Sequence, residues 1–256
     1  MTRRANFPGI VSKGYVSEIF SSFQGEGLFA GRRHLFLRMA GCNLRCGYCD
    51  TPDSLVRTES CAFETIEGYE RVVPNPLTAT EVNALLEPLY RLRAGLHALA
   101  ITGGEPMMQS DFLGELLAAS PPPVPVLLET NGTYPERLPA LLPFVSIISM
   151  DVKLPSNSGE RPLWEEHRAF LEASRGKTVY VKVPVDDGTR EAEVGEAAAL
   201  VAKASPGSAF FLQPIVAPGS ETMITAERLG EFYDAAVRHL TDVRVLPQAH
   251  RLLGIR

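Results

Sequence analysis

The chain has 256 residues, a net charge of −5, and 45% hydrophobic and 21% charged residues. That balance excludes a disordered chain and supplies no positive field for nucleic acid. The longest apolar runs, such as 124–128, are too short to cross a bilayer. Arg3 and Arg4 precede no apolar stretch, so no signal peptide is expected and the cytoplasm is the expected compartment.

In chain order, strands are expected at 15–20, 34–40, 98–102, 124–130, 146–151, 178–184, 209–213 and 243–246. Most are continuous apolar runs, the pattern of strands buried on both faces of a parallel sheet. Helical periodicity falls between them, at 80–93, 111–119, 163–173, 190–204 and 225–239. The first opens at Thr80 and carries Val82, Leu85, Leu86, Leu89 and Leu92 on one face; the last opens at Thr225, with Glu227 in its first turn. Trp164, on a helical pattern, is expected to pack. This alternation predicts βαβ units in a single α/β domain spanning 1–256. Residues 53–76, polar and ending in Pro74 and Pro76, read as an irregular insertion, and 120–125 as a proline-stiffened connection.

Chemically special residues gather where strands end. Arg38 and a cysteine loop follow one strand; Gly103, Gly104, Glu105 and Pro106 follow the next; Glu129, Thr130, Asn131 and Gly132 close the third. Asp151 and Lys153 close the fourth, Lys182 lies in the fifth, and Gln213 and Pro214 end the sixth. In parallel α/β folds these ends form one mouth, where sites are assembled from several strands. Turn chemistry explains Gly132, but not the recurrence of carboxylates, lysines and an amide at the same end.

Cys42, Cys46 and Cys49 are spaced C-x3-C-x2-C, which places three soft thiolates within reach of one iron–sulfur cluster. A four-iron cluster held by three cysteines keeps one iron open to a ligand, as catalytic zinc sites keep an open position. The alternative is a zinc knuckle completed by Cys61 or a histidine, in a non-catalytic module. Cys61, apart from the motif, reads as a spare thiol.

With an aromatic residue, Tyr48, before the third cysteine and a Gly-Gly-Glu-Pro run after the next strand, the chain resembles the radical S-adenosylmethionine superfamily. Within it, the chain is similar to the 7-carboxy-7-deazaguanine synthase family of the queuosine pathway. Residues 19–27, 36–44, 49–51, 129–133 and 243–250 carry that likeness. The resemblance implies a partial (β/α) barrel and a lyase that converts 6-carboxy-5,6,7,8-tetrahydropterin to 7-carboxy-7-deazaguanine with loss of ammonia. It implies a [4Fe-4S] cluster on Cys42, Cys46 and Cys49, S-adenosylmethionine, Mg²⁺, an electron donor and a homodimer, with neither nucleic acid nor membrane as partner. Phe23, Gln24, Gly25, Arg38 and Thr102 would line the pterin, Arg38 pairing with its carboxylate. Thr51 would give Mg²⁺ an oxygen. Gly103, Gly104, Glu105, Asp151, Lys153, Gln213, Pro214, Ile215 and Val216 would hold S-adenosylmethionine. A glycyl-radical activase shares the cysteine loop and is the rival enzyme. His250 receives no role. The run Asp151-Val152-Lys153-Leu154-Pro155 departs from the family's Ser-Pro-Lys-Pro-Pro type.

Overall fold

A computed structural model describes residues 12–216 and 224–255. Arg3, Arg4 and the terminal Arg256 lie outside the described residues, as does the side chain of Leu92. The strands are β1 (Lys13–Gly14), β2 (Val16–Phe23), β3 (Arg33–Met39), β4 (Ser60–Glu64), β5 (Glu70–Pro74), β6 (Leu77–Thr78), β7 (Ala98–Gly103), β8 (Val126–Thr130), β9 (Ile147–Asp151), β10 (Thr178–Val185), β11 (Ala209–Pro214) and β12 (Val243–Val245). The helices are α1 (Ala79–Leu92), α2 (Ser110–Ala119), α3 (Leu138–Leu141), α4 (Pro155–Ser158), α5 (Trp164–Ala173), α6 (Glu191–Ala204), α7 (Ala226–Val237) and α8 (Ala249–Leu253). The five expected helices match α1, α2, α5, α6 and α7 to within two residues at each end. Helix α1 is capped two residues ahead of the expected Thr80: Thr78 and Glu81 form a reciprocal capping box. Thr225 caps α7 as expected, accepting from the Arg228 N–H at 3.2 Å.

One ten-stranded sheet runs in the order β12-β11-β10-β9-β8-β7-β3-β2-β4-β5. Every pairing from β3 to β12 is parallel, with helices returning the chain between strands. The sheet edges, β12 and β5, stay apart, so the fold is a partial barrel. Residues 53–76 are not irregular. They hold the β4–β5 hairpin, which extends the sheet past β2 and turns at Gly68, whose φ of 85° favours glycine. Cys61, Phe63 and Val73 anchor it to the core, an alternation too short to stand out among polar neighbours.

The two sheet faces differ. The helix-covered face buries Leu35, Leu37, Leu99, Ile101, Ile148, Val181, Val183 and Leu212 against Val82, Leu86, Leu89, Phe112 and Val201, with Leu85 and Trp164 partly buried at its margin. The concave face begins with an apolar floor of Phe20, Phe36, Ala98, Ala100, Leu127, Ile147, Tyr180, Ala209 and Phe211. Further along each strand, by two residues and on β9 by four, the same face turns polar: Arg38, Thr102, Glu129, Asp151, Lys182 and Gln213. The registers Arg38 with Thr102 and Lys182 with Asp151 set them side by side. Among the described residues no helix is long and apolar enough to cross a membrane.

Candidate active site

These polar residues border a cavity of about 540 Å³ that also takes in Cys42, Cys46, Cys49, Thr51, Gly103, Gly104, Lys153, Gln248 and His250. The cysteine loop is pinned by backbone bonds: Gly41 and Cys42 donate to Ser54 and Leu55 carbonyls at 2.8 and 3.1 Å, Gly47 to Ser158 at 3.1 Å, and Cys49 to Cys46 at 3.1 Å. All four cysteines are free thiols, but Cys61 is buried on β4 outside the cavity and does not complete the set. Three soft donors converging on one wall fit an iron–sulfur cluster with an open iron. Burial pushes the Cys42 and Cys46 thiols above their usual value, so their ionisation is linked to metal binding.

Gly103 and Gly104 seat the loop from below. Gly103 has φ 126°, and a side chain there would meet the Met39 carbonyl at 2.1 Å; one on Gly104 would meet the Gly41 carbonyl at 2.2 Å. Gly103 is therefore demanded by the close approach of the β3 backbone at Met39, and Gly104 by that of the cysteine-loop backbone at Gly41. Glu105 does not reach the cavity. It is 1% exposed and accepts from the N–H groups of Met107 and Asn131 and from the Thr130 hydroxyl, at 2.8–2.9 Å. Burial pushes its carboxyl up to about 7 against the pull of those donors. Glu105 thus ties two strand-end turns together, and its side chain stands off the cavity wall. Pro214 and Val216 are likewise buried off the cavity wall, leaving Gln213 and Ile215 of that segment on it. Asp151 and Lys153 do line the cavity, paired at 2.8 Å, with the Lys153 ammonium 5.4 Å from the centre of the Tyr48 ring.

The facing wall comes from two remote segments. Arg38 is held by Glu18, which accepts from Nε at 3.0 Å, and by the Phe20 ring 5.5 Å away. Phe23 and Gly25 line the cavity beside it. Gln24 is 4% exposed and engaged at both ends of its amide: Nε2 donates to Glu129 at 2.7 Å and Oε1 accepts from the Glu26 N–H at 3.1 Å. Thr102 donates to the same Glu129 at 2.8 Å. Sequence reasoning placed Glu129 at the mouth without a role, and gave none to Glu26, Gln248 or His250. Glu26 Oε1 accepts from Gln213 at 3.1 Å and Gln248 at 2.9 Å, and Gln248 also donates to Asp50 at 2.8 Å. Helix α8 docks on this loop through Ala249 N–H to the Gly25 carbonyl, 2.9 Å. Carboxylate oxygens of Glu26 and Asp50 and a ring nitrogen of His250 lie within 4.8 Å of one another. The two carboxylates there, and the Thr51 hydroxyl elsewhere on the cavity lining, are hard oxygen donors of the kind that suit Mg²⁺; the imidazole nitrogen is a softer one. The signal for this wall was present: Glu26 stands inside Gln24-Gly25-Glu26-Gly27, and Gln248 and His250 inside the last shared stretch.

Comparison with known proteins agrees with this geometry. Residues 36–185 match the radical SAM superfamily. The chain is 38% identical to a 7-carboxy-7-deazaguanine synthase of Geobacter sulfurreducens, covering 93% of this chain and 96% of that one. It is 33% identical to one from Methanothermobacter thermautotrophicus, over 96% and 100% of the two chains. The crystal structure of QueE from Escherichia coli superposes with a TM-score of 0.58 at 19% identity, covering 93% and 95%. A radical SAM methyltransferase from Sphaerobacter thermophilus gives 0.57 at 14%, covering 90% and 77%; at such identities these two establish the fold alone. Cysteine loop, partial barrel and full-length likeness converge, and the zinc-module and activase readings give way: the chain belongs to the radical SAM superfamily and, within it, to the 7-carboxy-7-deazaguanine synthase family.

Proposed function

We propose that this chain converts 6-carboxy-5,6,7,8-tetrahydropterin to 7-carboxy-7-deazaguanine with loss of ammonia, as its family does, and that the cavity above is where it does so. The observation that carries this reading is the opposition of three thiols and a fixed guanidinium across one cavity. Cys42, Cys46 and Cys49 would hold the [4Fe-4S] cluster, which with S-adenosylmethionine supplies a carbon-centred radical able to take hydrogen from the pterin. The chain's own work is placement. Arg38, stiffened by Glu18 and Phe20, presents a planar cation to the substrate carboxylate. Gln24, Gly25 and Thr102, locked through Glu129, set the edge against which a flat heterocycle lies. Asp151, Lys153, Gly103, Gly104, Gln213 and Ile215 face the cofactor side, and Thr51 offers Mg²⁺ an oxygen. The apolar floor stops ligands from sinking deeper and excludes water beneath the reacting atoms. The protein works in this reading as a cytoplasmic homodimer fed by an external reductant.

Anaerobic turnover of the cluster-loaded protein with 6-carboxytetrahydropterin, S-adenosylmethionine and reductant, with and without Mg²⁺, tests it. The expected product is 7-carboxy-7-deazaguanine by mass, formed faster with Mg²⁺. Cleavage of S-adenosylmethionine with the pterin left intact would overturn the substrate assignment.

A further inference from the structure

Lys182 has 4% of its side chain exposed and sits between the two walls of the cavity. Its ammonium meets Glu26, from the loop after β2, and Asp151 Oδ1 at 3.2 Å, from the end of β9. Neither bond is local: Lys182 and Glu26 are 156 residues apart in sequence. Asp151 goes on to Lys153 at 2.8 Å, and Lys153 to the ring of Tyr48 between two cysteines of the loop. Glu26 goes on to Gln213 and Gln248, and Gln248 to Asp50. One unbroken polar chain therefore runs from the cysteine loop to the substrate loop and helix α8, and Lys182 is its middle link.

Around Lys182 the charges balance, Glu26 and Asp151 against Lys153 and Lys182, while Asp50 at the far end of the chain adds a carboxylate beside His250. Above an apolar floor such a balance is stiff, because displacing one partner strands a buried charge, which costs several kcal/mol. A ligand that engages Asp151 or Lys153 must therefore change how the Lys182 ammonium is shared between its hydrogen bond to Glu26 and its ion pair with Asp151. Lysine suits that division: a point charge with three donors on a flexible stem can slide between two acceptors, where a planar guanidinium cannot.

We propose that Lys182 is a positioning residue that couples the two binding sites, so that occupation of the cofactor wall orders the Gln24–Glu26 loop for the pterin. The coupling rests on the function proposed above, which puts S-adenosylmethionine and pterin on those walls. By linkage, each ligand must alter the affinity of the other by the same factor.

The test uses cluster-loaded protein without reductant, so that both ligands bind and neither reacts. Calorimetry would give the Kd of 6-carboxytetrahydropterin with and without saturating S-adenosylmethionine, and the reverse. Wild type should show a mutual enhancement of about tenfold, within the usual range of coupling between sites. In Lys182→Gln the factor should fall to near one, whatever the change in affinity for S-adenosylmethionine alone; Lys182→Arg, which keeps the charge but not the free sliding, should restore only part of it. Should Lys182→Gln fail to fold, Glu26→Gln combined with Lys182→Met removes one charge of each sign and should also be uncoupled. Retention of the wild-type factor in a Lys182 variant, or independent binding in wild type, overturns the proposal. If wild type binds S-adenosylmethionine but no pterin, the substrate reading falls and the coupling with it, an outcome distinct from uncoupled binding of both.

Discussion

The two walls of the cavity reach comparable order by different means. The cofactor wall stands on the ends of β7, β9 and β10, which with β8 between them form one run of parallel ladders, and on a cysteine loop tied to its surroundings by backbone bonds. The substrate wall is a loop and a five-residue helix leaning on each other through one backbone bond, the side chain of Gln248 and the ring of His250 beside Gly25. Elements with few anchoring contacts open at lower free energy than strands within a sheet. The difference teaches that the walls are separable in their assembly: damage to the substrate loop and α8 need not cost the cluster site, even where Lys182 couples the ligands that the two walls bind.

The largest effect expected is on the cofactor wall. Cys42→Ala, Cys46→Ala or Cys49→Ala should abolish the cluster, and Cys61→Ala should leave it intact, as read by iron and sulfide content and visible absorbance. Normal loading in Cys46→Ala would break the assignment. Next is Arg38→Ala, which should weaken pterin binding about ten- to a hundredfold, the value of one charge-assisted contact of about 1.5–3 kcal/mol. Arg38→Lys should recover little of this, since the bidentate fork is lost, and S-adenosylmethionine affinity should barely move. An analogue lacking the 6-carboxylate sharpens the point: wild type should bind it less tightly than the substrate, and Arg38→Ala should hardly discriminate.

A subtler break lies at the contact between the two leaning segments. A methyl group on Gly25 would fall 2.2 Å from Nδ1 and 2.7 Å from Cβ of His250, so rotation of the ring alone does not relieve it. Gly25→Ala should displace α8 and weaken pterin binding about tenfold, on the scale of 1–3 kcal/mol for overpacking, with the cluster spectrum unchanged. Loss of the cluster in that variant would show that the walls are not separable. The smallest expected change in ligand affinity is for Glu105→Gln. Both carboxylate oxygens face donors, so an amide must set its NH₂ against one of them. Thermal unfolding should report a loss of about 1–3 kcal/mol with pterin Kd nearly constant.

How far the sequence disclosed all this follows the same divide. The strands of the cofactor wall were legible because both their faces are apolar at the floor, Ala98 and Ala100 inside, Leu99 and Ile101 outside, so each reads as an unbroken run. The cysteines and strand-end carboxylates were legible as motifs. Hidden were pairings with no local pattern, such as Lys182 with Glu26, and the direction of side chains in a motif whose backbone was correctly placed. Glu105, Pro214 and Val216 belong to segments that border the cavity, but they do not line it themselves. The β4–β5 hairpin was hidden for another reason: a two-stranded addition needs few apolar residues, and its edge strand exposes Val72 and keeps Glu70 and Arg71 in solvent.

The bond between Gln248 and Glu26 joins positions 222 residues apart. A ribosome releases Glu26 long before Gln248, and folding proceeds in that direction as the chain emerges. Strands β2 and β3 and the cysteine loop can therefore begin to pack before the amide that will hold Glu26 exists, so the two walls of the cavity are completed one after the other rather than together.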